Sequence, residues 1–547
     1  MVDSIVGTPY TRFRASATYD AIVIGSGIGG LGTAATLAKA AGQRVLVLER
    51  HYTAGGLTHV FHRPGFEWDV GVHYVGQVHK TGSQTAALFD YLTEGRLRWH
   101  PMPDVYDRVD IDGLRFDYVS GKDRLRDALV RAFPHEQRAV DRYFKAIGSC
   151  VRNLPLFYAE KALPSLIARH LGGCLRAPFL RSSHHTTGET LDGCGVSREL
   201  KAVLTAQWGD YGLPPGQSSF GMHAIIASHY FDGAAYPVGG ASQIARSLLP
   251  TIERAGGAVV VDADVDRILV GNGSAIGVRM KDGVEFRATT IVSDVGLGTT
   301  LGQLLSESSD AVHALVDRVE RIGPSLAHLC LYVGVSTARL ARPLNAANLW
   351  LHPSLDFDRN WSAFAADLDA PFPLLFVSFP SAKDPTFERR YPGHQTIEVV
   401  VPAPYDLFMK WRGSQWKGRG PEYLALKERL QERMLAALCE HVPEVAGAVA
   451  TCELSTPLST QHFVNAAHGE TYGLAHNPAR FASRDLRPAT PIRNLFLTGQ
   501  DISTCGVTGA LAGAVASASA VLHRNLFRVV GAAEPAGVKR DRRGEAA

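Results

Sequence analysis

YDAIVIGSGIGGLGTAATLAKAAGQRVLVLE, residues 19–49, is the stretch on which the reading of the fold turns. Its first six residues form a short apolar run of the kind found in buried parallel strands. They lead directly into Gly25-Ser26-Gly27-Ile28-Gly29-Gly30, a G-x-G-x-x-G turn. An Ala/Leu-rich helical pattern follows from Leu31 to Ala41, closed by Gly42 at a helix C-cap position. A second strand, RVLVL (44–48), ends on Glu49, with Arg50 beside it. Gly25 permits the tight turn, Gly27 lets backbone reach a pyrophosphate, and Gly30 allows close helix–strand packing. The helix start offers free N–H groups and a partial positive charge to the phosphates. Glu49 stands 19 positions after Gly30, where an acid accepts from an adenosine ribose. Strand, turn, helix and acid are in register, so the unit predicts an α/β, Rossmann-like dinucleotide-binding domain.

Outward from this unit, Gly55-Gly56 and Leu57 come soon after the acid, followed by FEWDVGVHY (66–74). An early glycine pair of this kind resembles flavoproteins of the glutathione-reductase/amine-oxidase type, which points to FAD. Around Tyr236-Pro237-Val238-Gly239-Gly240 a helix begins and reads to about Ala255. Residues 259–269 and 275–280 then alternate like two strands around Gly271-Asn272-Gly273-Ser274, and Ile291 to Asp294 reads as another strand. Near the end, LFLT (495–498) runs into Gly499-Gln500-Asp501 and a small-residue helix from Val507 to Leu522. That order aims Asp501 at a ribityl hydroxyl and the helix end at the flavin pyrimidine edge, where reduction places negative charge. Thr508 lies in the first turn of this helix.

Composition narrows the class further. The chain has 547 residues and a net charge of +3, which excludes a strongly cationic nucleic-acid binder. Its seven cysteines show no C-x-x-C or zinc-type spacing, so neither a disulfide framework nor a metal site is expected. The 54 glycines fall largely in short clusters, as backbone does when it wraps a large ligand. Cys505 to Leu522 is uncharged but too rich in Ala, Gly and Ser for a spanning helix. Between 161 and 188, Lys161, Arg169, Arg176 and Arg181 alternate with leucines and no acid precedes Glu189. This basic amphipathic stretch fits peripheral contact with an anionic membrane, or a solvated cap helix. With no secretory pattern at the N-terminus, the expected location is cytoplasmic, at a membrane surface.

AIVIGSGIGGL (21–31), FEWDVGVHYVG (66–76), HYFDGAAYPVGG (229–240), FPSAKDPTFERRYPG (379–393) and TGQDISTCGVTGAL (498–511) together resemble the carotenoid (phytoene) desaturase and isomerase flavoproteins, most of all their retinol saturase branch. The likeness spans nearly the whole chain. It implies FAD, a lipophilic polyene substrate in an apolar tunnel, and carbon–carbon double-bond chemistry. It also implies that the backbone of Val265 meets the adenine, and that 304–455 is a substrate domain with an antiparallel sheet. One departure is Leu57, where many relatives of the amine-oxidase type carry Arg. Only one nucleotide fingerprint is present, so a reductase would need NAD(P)H to visit the flavin transiently, or another electron donor.

The expected division is an FAD-binding domain in three parts (18–90, 231–303 and 456–530). A substrate/cap region (91–230) and the α+β substrate domain (304–455) are interleaved with it, and 531–547 forms a disordered tail. For saturation of a polyene, flavin donates hydride and an acid supplies a proton. His73, Tyr74, Tyr236, His462 and Tyr472 are the candidate donors, His73 foremost because imidazole titrates near neutrality. Desaturation and cis–trans isomerisation remain open within the family. Rab GDI-type binding of a prenyl lipid without flavin remains the alternative of another class. Oligomeric state is not legible.

Overall fold

The strands Ala21–Ile24 and Val45–Leu48 are apolar and buried at every position because both faces of their sheet are covered. In the computed structural model, which describes residues 5–14, 18–161, 163, 165–305 and 309–531, they lie at the centre of a six-stranded parallel sheet. Its order is Thr8–Pro9, Ala258–Val261, Val45–Leu48, Ala21–Ile24, Thr290–Ser293, Leu495–Leu497. Strands from the start, middle and end of the chain thus converge on one sheet. Thr8–Pro9 adds an edge strand ahead of residue 18, where the sequence reading began the domain. The fingerprint helix, Ile28–Ala41, packs against the C-terminal helix Gly506–Leu522 and against Gln243–Arg254. Small residues make that first contact close. A Cβ on Gly32 would stand 2.5 Å from Leu511 Cδ1. The Ala/Gly/Ser composition of 505–522 therefore serves packing, and among the described residues no helix is long and apolar enough to cross a membrane.

A second sheet of seven strands stands against this half. Its order is Val449–Ser455, Ala327–Ser336, His394–Ala403, Leu375–Ser378, Asn348–His352, Val105–Ile111, Leu114–Val119. The strands from 304–455 pair antiparallel throughout. Two further strands from the substrate/cap region (91–230) extend the sheet, and Asn348–His352 pairs in parallel with Val105–Ile111, so the whole sheet is mixed. The helix expected from about 236 begins at Gln243, because Ala234–Pro237 is a strand and Gly239 and Gly240 both have positive φ. Residues 265–271 and 274–280 form the expected hairpin, but Ala258–Val261 is a separate strand of the parallel sheet. The tail expected at 531–547 lies outside the described residues apart from Gly531.

Candidate functional site

Backbone rather than side chain builds the nucleotide end of the site. Gly25 adopts φ +92 at the end of its strand, and the helix N-terminus opens at Ile28 with Gly27 as its cap. The glycines sit where a Cβ has no room. At Gly29 it would stand 2.3 Å from Asp294 Oδ1 and 2.5 Å from Gly499 Cα, and at Gly56 2.9 Å from Gly27 Cα. Glu49 Oε2 accepts from Ser26 N (2.8 Å) and Ser26 Oγ (2.6 Å), while Oε1 accepts from His51 N (2.7 Å). The acid therefore clamps the first turn of the fingerprint to the end of the second strand.

At this turn lies a cavity of about 750 Å³. Gly25, Ser26, Gly27, Ile28 and Gly29 line it, as do Glu49, Arg50, Gly56, Leu57, Val265 and Asp501. Gly30, Gly55, Gly499 and Thr508 do not; they pack behind the wall, and the Thr508 hydroxyl is buried without a partner. The Arg50 guanidinium is turned to the His462 carbonyl. Asp501 accepts from Leu297 N (2.8 Å) with one oxygen and from Leu474 N (3.0 Å) with the other. It thus holds together two segments of cavity wall at the start of the C-terminal helix, where Gly506 and Val507 line the cavity. An elongated groove with a helix N-terminus and crowded glycines at one end fits a dinucleotide cofactor.

Of the five proton-donor candidates Tyr472 lines the cavity, whereas Tyr74, Tyr236 and His462 do not, and here the sequence reading is corrected. The Tyr74 hydroxyl lies 3.0 Å from Asp107 Oδ2 and 3.1 Å from Asp210 Oδ2. The Tyr236 hydroxyl donates to Asp69 Oδ2 at 2.5 Å. Both rings are buried and neither lines the cavity, because their hydroxyls satisfy buried carboxylates. His73 follows the cavity-lining residues Gly71 and Val72, and its side chain keeps 17% exposure. Its Nδ1 lies 2.8 Å from Glu398 Oε2, at an angle that makes no hydrogen bond. Burial pushes the Glu398 carboxyl up to about 8. Burial, with Lys383 nearby, pushes the His73 imidazole down to about 3. Carboxylic acid and neutral imidazole thus stand side by side, sharing one titratable proton at neutral pH.

Beneath them lies Lys383, which the sequence reading left as an edge loop. It ends the short helix Pro380–Lys383 and is 2% exposed. Its ammonium donates to the His73 carbonyl (3.0 Å), Asn348 Oδ1 (2.5 Å) and Ser378 Oγ (2.7 Å). Asn348 in turn donates to Asp107, the same acid that Tyr74 and Gln207 reach. Burial pushes the Lys383 ammonium down to about 8, against the pull of Glu398, Asp107 and Asp69.

Other functional groups gave no usable sequence signal. Asp294, seen only as the end of a strand, accepts from Gly30 N–H and is pushed up to about 8 by burial. Glu470 lines the cavity and is pushed up to about 7 by burial. His328 Nδ1 lies 2.6 Å from Thr471 Oγ1, and burial pushes its imidazole down to about 4. Among the described residues no group of three or more His, Cys, Asp or Glu is arranged to hold a metal.

The sequence profile of the NAD(P)-binding Rossmann-like domain matches residues 23–92. All-trans-retinol 13,14-reductase of Rattus norvegicus is 37% identical over 533 residues, covering 94% of this chain and 87% of its own. Chloroplastic prolycopene isomerase 1 of an Oncidium hybrid cultivar is 26% identical over 490 residues, covering 85% and 77%. Among solved structures, cyclohexylamine oxidase from Brevibacterium oxydans superposes with a TM-score of 0.57 at 15% identity, covering 94% of this chain and 99% of its own. At that identity the likeness is one of fold.

Proposed function

The chain belongs to the all-trans-retinol 13,14-reductase family, and from that premise we propose that it is an FAD-dependent oxidoreductase that saturates a carbon–carbon double bond of a retinoid or carotenoid-like polyene. The observation that carries this reading is the cavity described above. Its lining combines the fingerprint glycines and Asp501 with apolar side chains that include Leu301, Val316 and Val319. Such walls suit a lipid chain, and they exclude water from the reacting carbons.

The residues fit the cofactor in named roles. Backbone N–H groups at Gly27 to Gly29 receive the pyrophosphate, which compensates for Leu57 in place of an arginine. Glu49 faces the adenosine ribose and Val265 the adenine, while Asp501 keeps the ribityl region in shape. The free N–H groups at Gly506 and Val507 favour negative charge at the pyrimidine edge. When bound, reduced flavin supplies a hydride to one carbon of the double bond. The second carbon needs a proton, and the Glu398 carboxyl, kept protonated by burial with its Oε2 2.8 Å from His73 Nδ1, holds one close to the segment that carries the cavity-lining Gly71 and Val72. Lys383 fixes the His73 carbonyl and so sets where the imidazole stands. NAD(P)H serves as a transient donor, in keeping with the single fingerprint.

The test is anaerobic incubation of the purified, yellow protein with all-trans-retinol and NADPH, followed by mass spectrometry of the lipid. A gain of two hydrogens is expected. Loss of two hydrogens, or unchanged mass with altered retention, would replace reduction by desaturation or isomerisation. A colourless preparation that FAD does not reconstitute would sink the enzyme reading altogether.

A further inference from the structure

The helices Leu154–Lys161 and Ser165–Ser183 pack against one another beside the entrance to the C-terminal helix. Their inner side is tied down. Tyr158 OH lies 3.1 Å from both Ser503 Oγ and Thr504 Oγ1, and Phe157, Phe179 and Phe481 form one aromatic cluster. Two of the four cations expected on a basic face are used here. Lys161 Nζ donates to the Leu486 carbonyl (2.5 Å), and Arg176 donates to the carbonyls of Phe481 (2.5 Å) and Ser483 (2.7 Å). Both side chains are buried, which corrects the picture of a continuous cationic stripe.

The outer side is different. Leu156, Ile167 and Leu171 are 43%, 45% and 56% exposed, an unusual concentration of bare apolar side chains on one pair of helices. Next to them opens a cleft of about 500 Å³ whose charged wall is Arg176, Arg181, His184, His185 and, from a distant segment, Arg484. No carboxylate lines it. The acids nearby are engaged or buried: Asp485 pairs with Arg318 (2.9 Å), Glu189 stands 3.8 Å from His185, and Glu160 is buried behind Gly172. Among the described residues Arg181 and Arg484 have no ion-pair partner. Arg176 lines the cleft at 2% exposure, and its Nε is buried with no acceptor.

We propose that this cleft takes the phosphate of an anionic phospholipid at a bilayer surface, with Ile167 and Leu171 sunk into the interface beside it. Two exposed guanidinium groups without an ion-pair partner, beside a third that is buried with its Nε unsatisfied, select a phosphate by charge and by forked hydrogen bonding. The flanking apolar side chains are what separates a lipid headgroup from free phosphate, since only an amphiphile satisfies both surfaces. At helical spacing Arg181 falls between the cleft and the face carrying Ile167 and Leu171, so one approach to a membrane engages both. The same helices hold the Ser503–Thr504 turn, which brings the bilayer next to the cofactor half of the molecule. The inference does not depend on what the cavity catalyses.

Co-sedimentation of the full chain with vesicles tests it. Phosphatidylcholine vesicles containing phosphatidylglycerol should retain the protein, and phosphatidylcholine alone should retain little. The pair Arg181→Gln and Arg484→Gln, both exposed and unpaired, should weaken anionic-vesicle binding by about fivefold per arginine. Ile167→Ser with Leu171→Ser should weaken it without changing flavin absorbance. Equal partition to neutral and anionic vesicles, or wild-type binding by the double arginine variant, would overturn the proposal. So would release from anionic vesicles by millimolar inorganic phosphate but not by chloride at equal ionic strength, the mark of a free-phosphate site.

Discussion

The two sheets of this molecule treat polar groups in opposite ways. At the parallel sheet the ligand groove is lined by backbone: glycines with no room for a Cβ, a helix N-terminus, and a few acids that tie loops together. At the mixed sheet the polar groups are side chains buried against each other, from Tyr236 and Asp69 through Glu398 and His73 to Lys383, Asn348 and Asp107. A groove made of main chain tolerates no added side chain but asks little of distant residues. A buried polar network tolerates exchange at no single member, because each loss leaves a partner unsatisfied.

The comparison breaks most sharply at Gly29. Gly29→Ala puts a Cβ 2.3 Å from Asp294 Oδ1 and 2.5 Å from Gly499 backbone, and neither neighbour is free to move. We expect the variant to fold, by circular dichroism, and to purify without flavin absorbance. Normal flavin content would mean that the groove is not main-chain limited. Lys383→Met is the converse experiment. It leaves Asn348, Ser378 and the His73 carbonyl without a donor and Glu398 without a nearby cation. The expected cost is about 3 kcal/mol of stability or more, read from urea denaturation, with flavin content retained. A variant as stable as wild type would show that the network is not cooperative.

The same contrast explains what was legible in the sequence. The fingerprint lies within 31 consecutive residues and its glycines carry their geometry with them, so the parallel sheet and its outlying strands could be read. Thr8–Pro9 could not, because two residues are too few to show a period. The network escaped for another reason. Lys383 and His73 are 310 positions apart, and nothing in a local window marks a lysine as buried. His73, Tyr74 and Tyr236 were singled out as polar residues near glycines. That pattern does not reveal which hydroxyl already has an acceptor. Within 304–455 the strands pair antiparallel, and what escaped was the parallel pair that joins residues 348–352 to 107–111, because apolar strands carry no record of their neighbours. The stretch 161–188 misled because charge pattern alone does not separate Arg181 on the surface from Lys161 and Arg176 turned inward.

Asp294 is the exception that sharpens the comparison, for it is a half-buried side chain in the lining of the main-chain groove. Its carboxyl, pushed up to about 8, is neutral at pH 7 and so does not repel a pyrophosphate at the same helix end. The native state keeps this proton until about pH 8, whereas the unfolded chain releases it near the ordinary aspartate value of 3.8. Stability from this group is therefore fully present below that lower value and lost as pH rises toward the upper one. Buried imidazoles such as His59, pushed down to about 4, act in the opposite sense, but only below about pH 6.5. Between 6.5 and 8 the acids Asp294, Glu398 and Glu470 dominate, and cofactor-free protein should lose stability with rising pH. Asp294→Asn keeps the shape and the oxygen that accepts from Gly30 without needing the proton. It should flatten that fall by up to about 1.4 kcal/mol per pH unit, seen as a smaller shift in urea midpoint. Flavin retention above pH 8 should also outlast that of wild type. A variant with the wild-type slope would mean that Asp294 is ionised in the groove, and that the helix end must then accommodate two anions at once.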